Sequence, residues 1–213
     1  FLFVGHWMQG EFGHDRKNVG VLIKSFYEAF KNKVGKKPAL ILKASAGISS
    51  YMSRDSILDK IKSIRYPYGN KNLPNVYLLN GEFDDHEMNE LYNHRKVKAM
   101  VSYSKGEGFG RPLLEFSTTG KPVIASGWSG HTDFLSPEYS TLLPGELENV
   151  HRSAANNWLI PESKWFKVSN THAVSALKQC FKHYKQYSQR SRKQRRHTID
   201  NYSWEQMKKV IDV

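Results

Sequence analysis

The stretch Ser104-Lys105-Gly106-Glu107-Gly108-Phe109-Gly110-Arg111-Pro112-Leu113-Leu114-Glu115 decides how the rest of the 213-residue chain is read. An apolar run, Ala99-Met100-Val101, precedes it, and a helical pattern over residues 112–119 follows. Gly106, Gly108 and Gly110 let the backbone bend and approach a ligand closely. Pro112 suits a first helical turn, where its missing N–H is not needed. A strand that ends in such a loop and opens a helix leaves free N–H groups and a positive dipole end beyond the sheet, a setting that attracts anions. The same glycines would also serve a plain strand-to-helix turn, so they do not decide the function by themselves.

Outward from this stretch, short apolar runs alternate with helical patterns. Strands are predicted at residues 1–4, 39–42, 76–79, 99–101 and 122–125. Between the first two, Val19, Leu22, Ile23, Phe26, Tyr27 and Phe30 recur at spacings of three and four, with Asn18 as the expected N-cap. Ile57, Leu58, Ile61 and Ile64 mark a second helix, and residues 84–92 a short acidic one. Strand and helix in alternation predict an α/β fold, a doubly wound parallel sheet of about six strands with helices on both faces. Residues 136–169, with Pro137, Pro144, Gly145 and Pro161, read as short strands and loops. A helix is expected from Thr171, with Val174, Leu177, Cys180, Phe181 and Tyr184 on its apolar face. The basic run 182–196 is expected to continue it, packing its apolar positions on the domain. One further amphipathic helix is expected over residues 204–213.

Composition removes several classes. At 39% hydrophobic and 13% aromatic residues the chain can bury a sizeable core, so wholesale disorder is excluded. No apolar run approaches the roughly 18–20 residues that span a bilayer. Cys180 is the only cysteine, which excludes disulfide scaffolds and cysteine-rich zinc modules and fits a reducing, cytoplasmic setting. The nine histidines show no metal-ligand spacing, so no metal is expected. The opening Phe1-Leu2-Phe3-Val4-Gly5 has the character of a strand and not of a secretion signal. The net charge of +12 is local: residues 163–199 hold 10 Lys/Arg and no acid, while residues 1–162 hold 20 basic and 17 acidic residues. Basicity is therefore a property of the C-terminal region.

Two further features bear on the anion site. Glu107 and Glu115 stand eight apart, one in the glycine loop and one in the following helix. Arg16-Lys17-Asn18 lies in the first strand-to-helix loop, which in a doubly wound sheet can flank the same crevice. Arg and Lys beside two helix N-termini describe a diphosphate clamp that needs no metal.

Glu107-x7-Glu115 with Gly-Phe-Gly-x-Pro between, followed by Gly120-Lys121-Pro122-Val123-Ile124-Ala125-Ser126, resembles the Glu-x7-Glu signature of retaining glycosyltransferases of the GT-B fold. The resemblance is to family 4, the "group 1" glycosyltransferases. It extends to the opening strand, Arg16-Lys17-Asn18, Leu79-Asn80-Gly81-Glu82-Phe83 and the closing Ser203-Trp204-Glu205. All of these belong to the C-terminal half of that fold, a Rossmann-like domain that binds the donor. The resemblance implies that residues 1–213 form one donor domain, with a basic helical region at 170–213, and that the N-terminal acceptor domain of the same polypeptide is absent. It also implies a nucleotide-diphospho-sugar as substrate, transferred with retention to a carbohydrate or lipid acceptor, without cofactor or metal.

Carried over by position, Glu107 lies by the transferred sugar as the catalytic residue, and Gly108, Phe109 and Gly110 offer backbone amides to sugar and diphosphate. Glu115 accepts hydrogen bonds from the ribose, Arg16 and Lys17 neutralise the diphosphate, and Gly81 and Phe83 belong to the base-binding region. The chain departs from the family where His6 stands in place of an arginine, where Arg111 replaces an apolar residue, and where Trp128-Ser129-Gly130-His131-Thr132-Asp133 replaces Gly-Gly-x-x-Glu. His6 and Asp133 receive no role. Residues 182–196 read either as a surface for an anionic membrane, which would place the protein peripherally at the inner membrane, or as an ordinary solvated helix face. The alternative is a nucleic-acid-binding module over residues 163–199, with Tyr184 and Tyr187 for stacking. An NAD-binding domain fits less well, because the glycines follow the fourth strand and not the first.

Overall fold

The computed structural model describes residues 1–47 and 50–211. The strands β1 (Leu2–His6), β2 (Leu40–Ser45), β3 (Val76–Leu79), β4 (Met100–Ser102), β5 (Val123–Ser126) and β6 (Thr141–Leu143) make one sheet, with α1 (Val19–Phe30), α2 (Tyr51–Arg65), α3 (Asp85–Asn93) and α4 (Arg111–Ser117) between the first five. Every pairing in it is parallel and the order is β3-β2-β1-β4-β5-β6, the doubly wound sheet expected from the alternation. The order reverses between β1 and β4. There β1 runs beside β2 from Leu2↔Ile41 to His6↔Ser45, yet meets β4 only at Leu2↔Met100. The loops leaving His6 and Ser102 therefore flank a gap at the carboxyl ends of the strands.

Strand periodicity explains how the sheet is covered. Leu2 joins Met100, Leu113, Phe116, Val123 and Phe134 on the face packed by α3 and α4. Its neighbour Phe3 joins Leu22, Ile23, Phe26, Leu42, Ile57 and Leu177 on the other face. The six apolar positions read for α1, from Val19 to Phe30, are all buried. Burying each such side chain contributes about 1.5–3 kcal/mol.

Local capping departs from expectation at α1. Asn18 occupies the N-cap position with a left-handed backbone (φ 54°) that turns its side chain off the helix end, and Asp15 Oδ1 accepts the Val19 N–H at 3.3 Å instead. Asp84 does cap α3: its carboxylate accepts the Glu87 N–H at 2.8 Å, and Glu87 Oε2 accepts the Asp84 N–H at 2.9 Å.

After β6 the chain makes an antiparallel hairpin, β7 (Gly145–Asn149) with β8 (Lys164–Val168), and then α5 (Asn170–Lys182), α6 (Tyr184–Tyr202) and α7 (Trp204–Ile211). Residues 212 and 213 of the expected last helix lie outside the described residues. The apolar face of α5 is rotated from the one read: Ala173, Ala176, Leu177 and Cys180 are buried, while Val174 and Phe181 are half-buried. The basic run does not continue α5, because the helix breaks at His183 (φ −111°, ψ 35°). α6 packs only in part through apolar positions, with Tyr187 and Tyr202 half-buried against the two cores. Its buried residues are Ser191, Gln194 and Thr198. Gln194 Nε2 donates to Phe134 O (2.6 Å) and Thr198 Oγ1 (3.1 Å), and its Oε1 accepts from Ser136 N (3.0 Å) and Ser140 Oγ (3.1 Å). The basic side chains had masked this polar seam. Lys185, Arg192, Lys193, Arg195 and Arg196 are exposed, as are Trp204, Val210 and Ile211 of α7.

Replacing Gln194 by Ala strands a buried N–H and a buried carbonyl, at about 1–3 kcal/mol for each group left unpaired. Urea unfolding of Gln194→Ala should show a loss of that size, with the far-ultraviolet spectrum of the folded state unchanged.

Candidate functional site

The gap between β1 and β4 brings three of the expected residues together. Lys17 Nζ is ion-paired with Glu107 Oε1, and Arg16 Nη1 reaches Glu107 Oε2 at 3.4 Å and the Gly106 carbonyl at 2.8 Å. The Lys17 and Glu107 side chains are only 11% and 10% exposed, whereas Arg16 is 37% exposed at the rim. Burial works to raise the Glu107 pKa, but the Lys17 ammonium and its hydrogen bond, together with Ser104 and Arg16, hold it below the ordinary carboxylate value. Burial likewise lowers Lys17, and the Glu107 charge offsets that only in part. The pair nearly fills the crevice: the cavity lined by Val4, Lys17, Glu107, Gly110 and Leu113 has a volume of about 10 Å³. A larger cavity, about 740 Å³, lies between α1 and the β7–β8 hairpin, and none of Arg16, Lys17, Glu107 or Glu115 lines it.

The Glu107 backbone is clamped from the loop after β5. Its N–H donates to Ser129 Oγ (2.9 Å), and its carbonyl accepts from Ser129 Oγ (2.7 Å) and from Gly130 N (3.1 Å). Ser129 holds φ 82°, a strained backbone of the kind that collects at functional sites. A Cβ on Gly130 would lie 2.1 Å from the Gly108 carbonyl oxygen, so the two loops can only close this tightly with glycine there. Gly110, at φ 89°, starts α4 with His131 Cβ only 3.1 Å from where its own Cβ would be. The N–H groups of Gly108 and Phe109 have no protein acceptor among the described residues, and the Phe109 ring, half exposed, packs 5.3 Å from Phe134.

The remaining expected residues stand apart from this cluster. Glu115 is half exposed on α4, ion-paired with Arg111 (Nε–Oε1 3.1 Å) and accepting a hydrogen bond from Tyr92 Oη at 3.1 Å. Burial and the Glu115 charge both raise the Tyr92 pKa, keeping the phenol a donor. Gly81 and Phe83 follow β3, where Lys43 donates to the Gly81 carbonyl at 2.6 Å and stands 4.5 Å over the Phe83 ring. His6 turns to Ser45 Oγ (2.8 Å). Asp133 offers its carbonyl to Tyr202 Oη (2.6 Å). Ser129, Tyr92 and Lys43 were not singled out from the sequence. Ser129-Gly130, standing where the family has Gly-Gly, was the available signal for the first; the other two meet their partners only in three dimensions. No group of three or more His, Cys, Asp or Glu side chains is placed to hold a metal among the described residues.

A doubly wound parallel sheet with a charged crevice at its switch point has the architecture of one half of a GT-B fold. Residues 58–156 match the family model described as glycosyl transferases group 1. Among solved structures, the chain is similar to HepE from Anabaena in complex with UDP and glucose (15% identity, TM-score 0.63, 99% of this chain and 48% of that one). It is also similar to the C-terminal domain of the group 1 glycosyl transferase LpcC from Francisella tularensis (14%, TM-score 0.64, 95% and 86%). A third is sucrose-phosphate synthase from Thermosynechococcus elongatus (18%, TM-score 0.63, 99% and 44%). These likenesses establish the fold. The chain spans about half the length of HepE and of the synthase. No curated protein sequence matches it.

His131 supplies a pH-dependent test of the loop. The ring is fully buried, with Nε2 2.6 Å from the Ser126 carbonyl, and burial lowers its pKa from the ordinary 6.5. A neutral ring in the fold against a protonated one in the unfolded chain means stability that is present above pH 6.5 and lost as pH falls toward the lowered value. Between pH 6.5 and that lowered value, urea unfolding of wild type should lose up to about 1.4 kcal/mol per pH unit more than His131→Gln does.

Proposed function

We propose that this chain is the donor-binding domain of a retaining glycosyltransferase and holds a nucleotide-diphospho-sugar across the β1–β4 crevice. The observation that carries the reading is Glu107 shared between Lys17 and Arg16 at the switch point, with Glu115 eight residues on. Two cations aimed at one carboxylate can turn to a diphosphate when it enters, and Arg and Lys both suit that role. Glu107 is then released to the sugar, against which it is held by Ser129. The free N–H groups of Gly108 and Phe109 face the same ligand, Glu115 accepts from the ribose hydroxyls, and Gly81 and Phe83 border the base. As the anomeric carbon–oxygen bond to the diphosphate breaks, charge grows on the leaving oxygen. Lys17 and Arg16 stabilise it in place of a metal ion, by preorganised electrostatics. HepE, a structural neighbour, is seen with UDP and glucose, which is the ligand chemistry this arrangement suits.

The acceptor, a carbohydrate or lipid hydroxyl, is oriented by an N-terminal domain of the same polypeptide that these residues do not include. Orientation of that kind is worth about 7–11 kcal/mol of barrier in favourable cases. The protein works in the cytoplasm, with the exposed lysines and arginines of α6 turned to an anionic membrane surface.

Calorimetric titration with UDP, GDP and ADP sugars tests the site. Lys17→Ala and Glu115→Ala should each weaken binding by about 1–3 kcal/mol, the range for losing a charged hydrogen bond. A chelator should leave affinity unchanged. Unchanged affinity in both variants removes the assignment. The purified 213-residue chain should bind donor but give no multiple turnovers with a panel of sugar and lipid acceptors, and turnover would show that one domain suffices.

A further inference from the structure

Lys105 lies between Ser104 and Gly106 at the root of the glycine loop, and its side chain is 0% exposed. Its backbone N–H donates to the Arg16 carbonyl at 2.8 Å, and its carbonyl accepts from Phe166 N at 2.9 Å. Its ammonium is ion-paired with Glu148 of β7 and stands 4.6 Å from the centre of the Trp165 ring of β8. Glu148 is held from its outer side by Lys167 at 3.1 Å. One residue thus joins the loop of Arg16 and Lys17, the loop of Glu107, and the β7–β8 hairpin.

Stability alone does not account for a charge in this place. Taking an ammonium and a carboxylate out of water costs several kcal/mol each, and well-packed apolar residues of similar volume serve stability as well or better. The best-attested use of a buried pair is to fix a single register between the segments it joins. The glycine loop has need of one. A Cβ on Gly106 or Gly108 would meet nothing within 4 Å, so side-chain packing at those two positions does not restrain the loop, and hydrogen bonds and its root must do so. Part of that restraint is the contact of Glu107 with Lys17 and Arg16, which a diphosphate would draw away.

We propose that Lys105 is a positioning residue: through Glu148 it pins the hairpin to the glycine loop and keeps Glu107 aimed at the sugar once the ligand has taken Lys17 and Arg16. The role rests on the donor site proposed above. It predicts that the loop and the sugar contact are lost together, while the diphosphate clamp survives.

The test uses Lys105→Met/Glu148→Gln, which removes both charges and keeps the volume, beside the single Lys105→Met and the outer control Lys167→Met. Amide hydrogen exchange is followed on residues 104–110, and affinity is measured for UDP, GDP and ADP, each with and without its glucose. In the double variant, exchange of residues 104–110 should rise about tenfold with α1 and α5 unchanged. Affinity for the bare nucleotide should stay within about threefold, and the extra affinity conferred by glucose should fall about tenfold or more, as a misplacement near 1 Å would cause. Lys167→Met should leave both readouts as in wild type. Unchanged exchange and an unchanged glucose increment overturn the proposal, and so does an equal loss for nucleotide and nucleotide sugar, which would make Lys105 general support for the fold. If wild type binds none of the nucleotides, the donor reading falls, and the exchange of residues 104–110 still decides whether Lys105 tethers the loop.

Discussion

The ladder between the two central strands stops after one pair, and the site is organised around that fact. A strand order that reverses at β1 and β4 sends α1 to one face of the sheet and α4 to the other, and the two connecting loops leave in opposite directions from adjacent strand ends. Loops so placed share a crevice without sharing a hydrogen-bond ladder. What closes it is charge: Arg16 and Lys17 from one loop, Glu107 from the other. Backbone bonds from Lys105 N to Arg16 O, and from the Ser129–Gly130 turn to Glu107, complete the closure.

The ion pair braces the crevice and, in the donor site proposed above, also holds the place of the ligand. A cation left alone in a partly buried crevice would pay desolvation with no return, and so would a lone carboxylate. Paired, each keeps the other ionised, and the cavity beside them measures about 10 Å³. In the donor site proposed above, an incoming anion meets cations that are already oriented and exchanges one partner for another. Glu115 stands apart from this pair, bound to Arg111 on its own helix and to Tyr92 on α3.

Much of this was legible in the sequence because it depends on short-range patterns. Five of the six sheet strands are apolar runs, since a parallel strand covered on both faces must be apolar throughout. The sixth, Thr141–Leu143, is too short to announce itself among the prolines that flank it. The glycine loop, Arg16, Lys17 and the two glutamates were found by spacing. Ser129 and Lys105 were not, because their importance lies in backbone and side-chain partners far along the chain. Asn18 misled for a related reason: its residue type suits an N-cap, but the left-handed turn it adopts leaves the capping to Asp15. In α6 the lysines and arginines hide a period of buried Ser, Gln and Thr that no hydrophobic pattern reveals.

That polar seam has a mechanical consequence. An oily interface tolerates sliding, because methyl groups can exchange neighbours at small cost. The interface beneath α6 is directional. Gln194 answers to the carbonyl of Phe134, the N–H of Ser136 and the hydroxyl of Ser140, and Thr198 meets the hydroxyl of Ser117 at 2.8 Å. A roll or a shift of one residue would break these bonds together. The helix is thus keyed in azimuth like a shaft in a slot, and its exposed cations point one way with respect to the sheet.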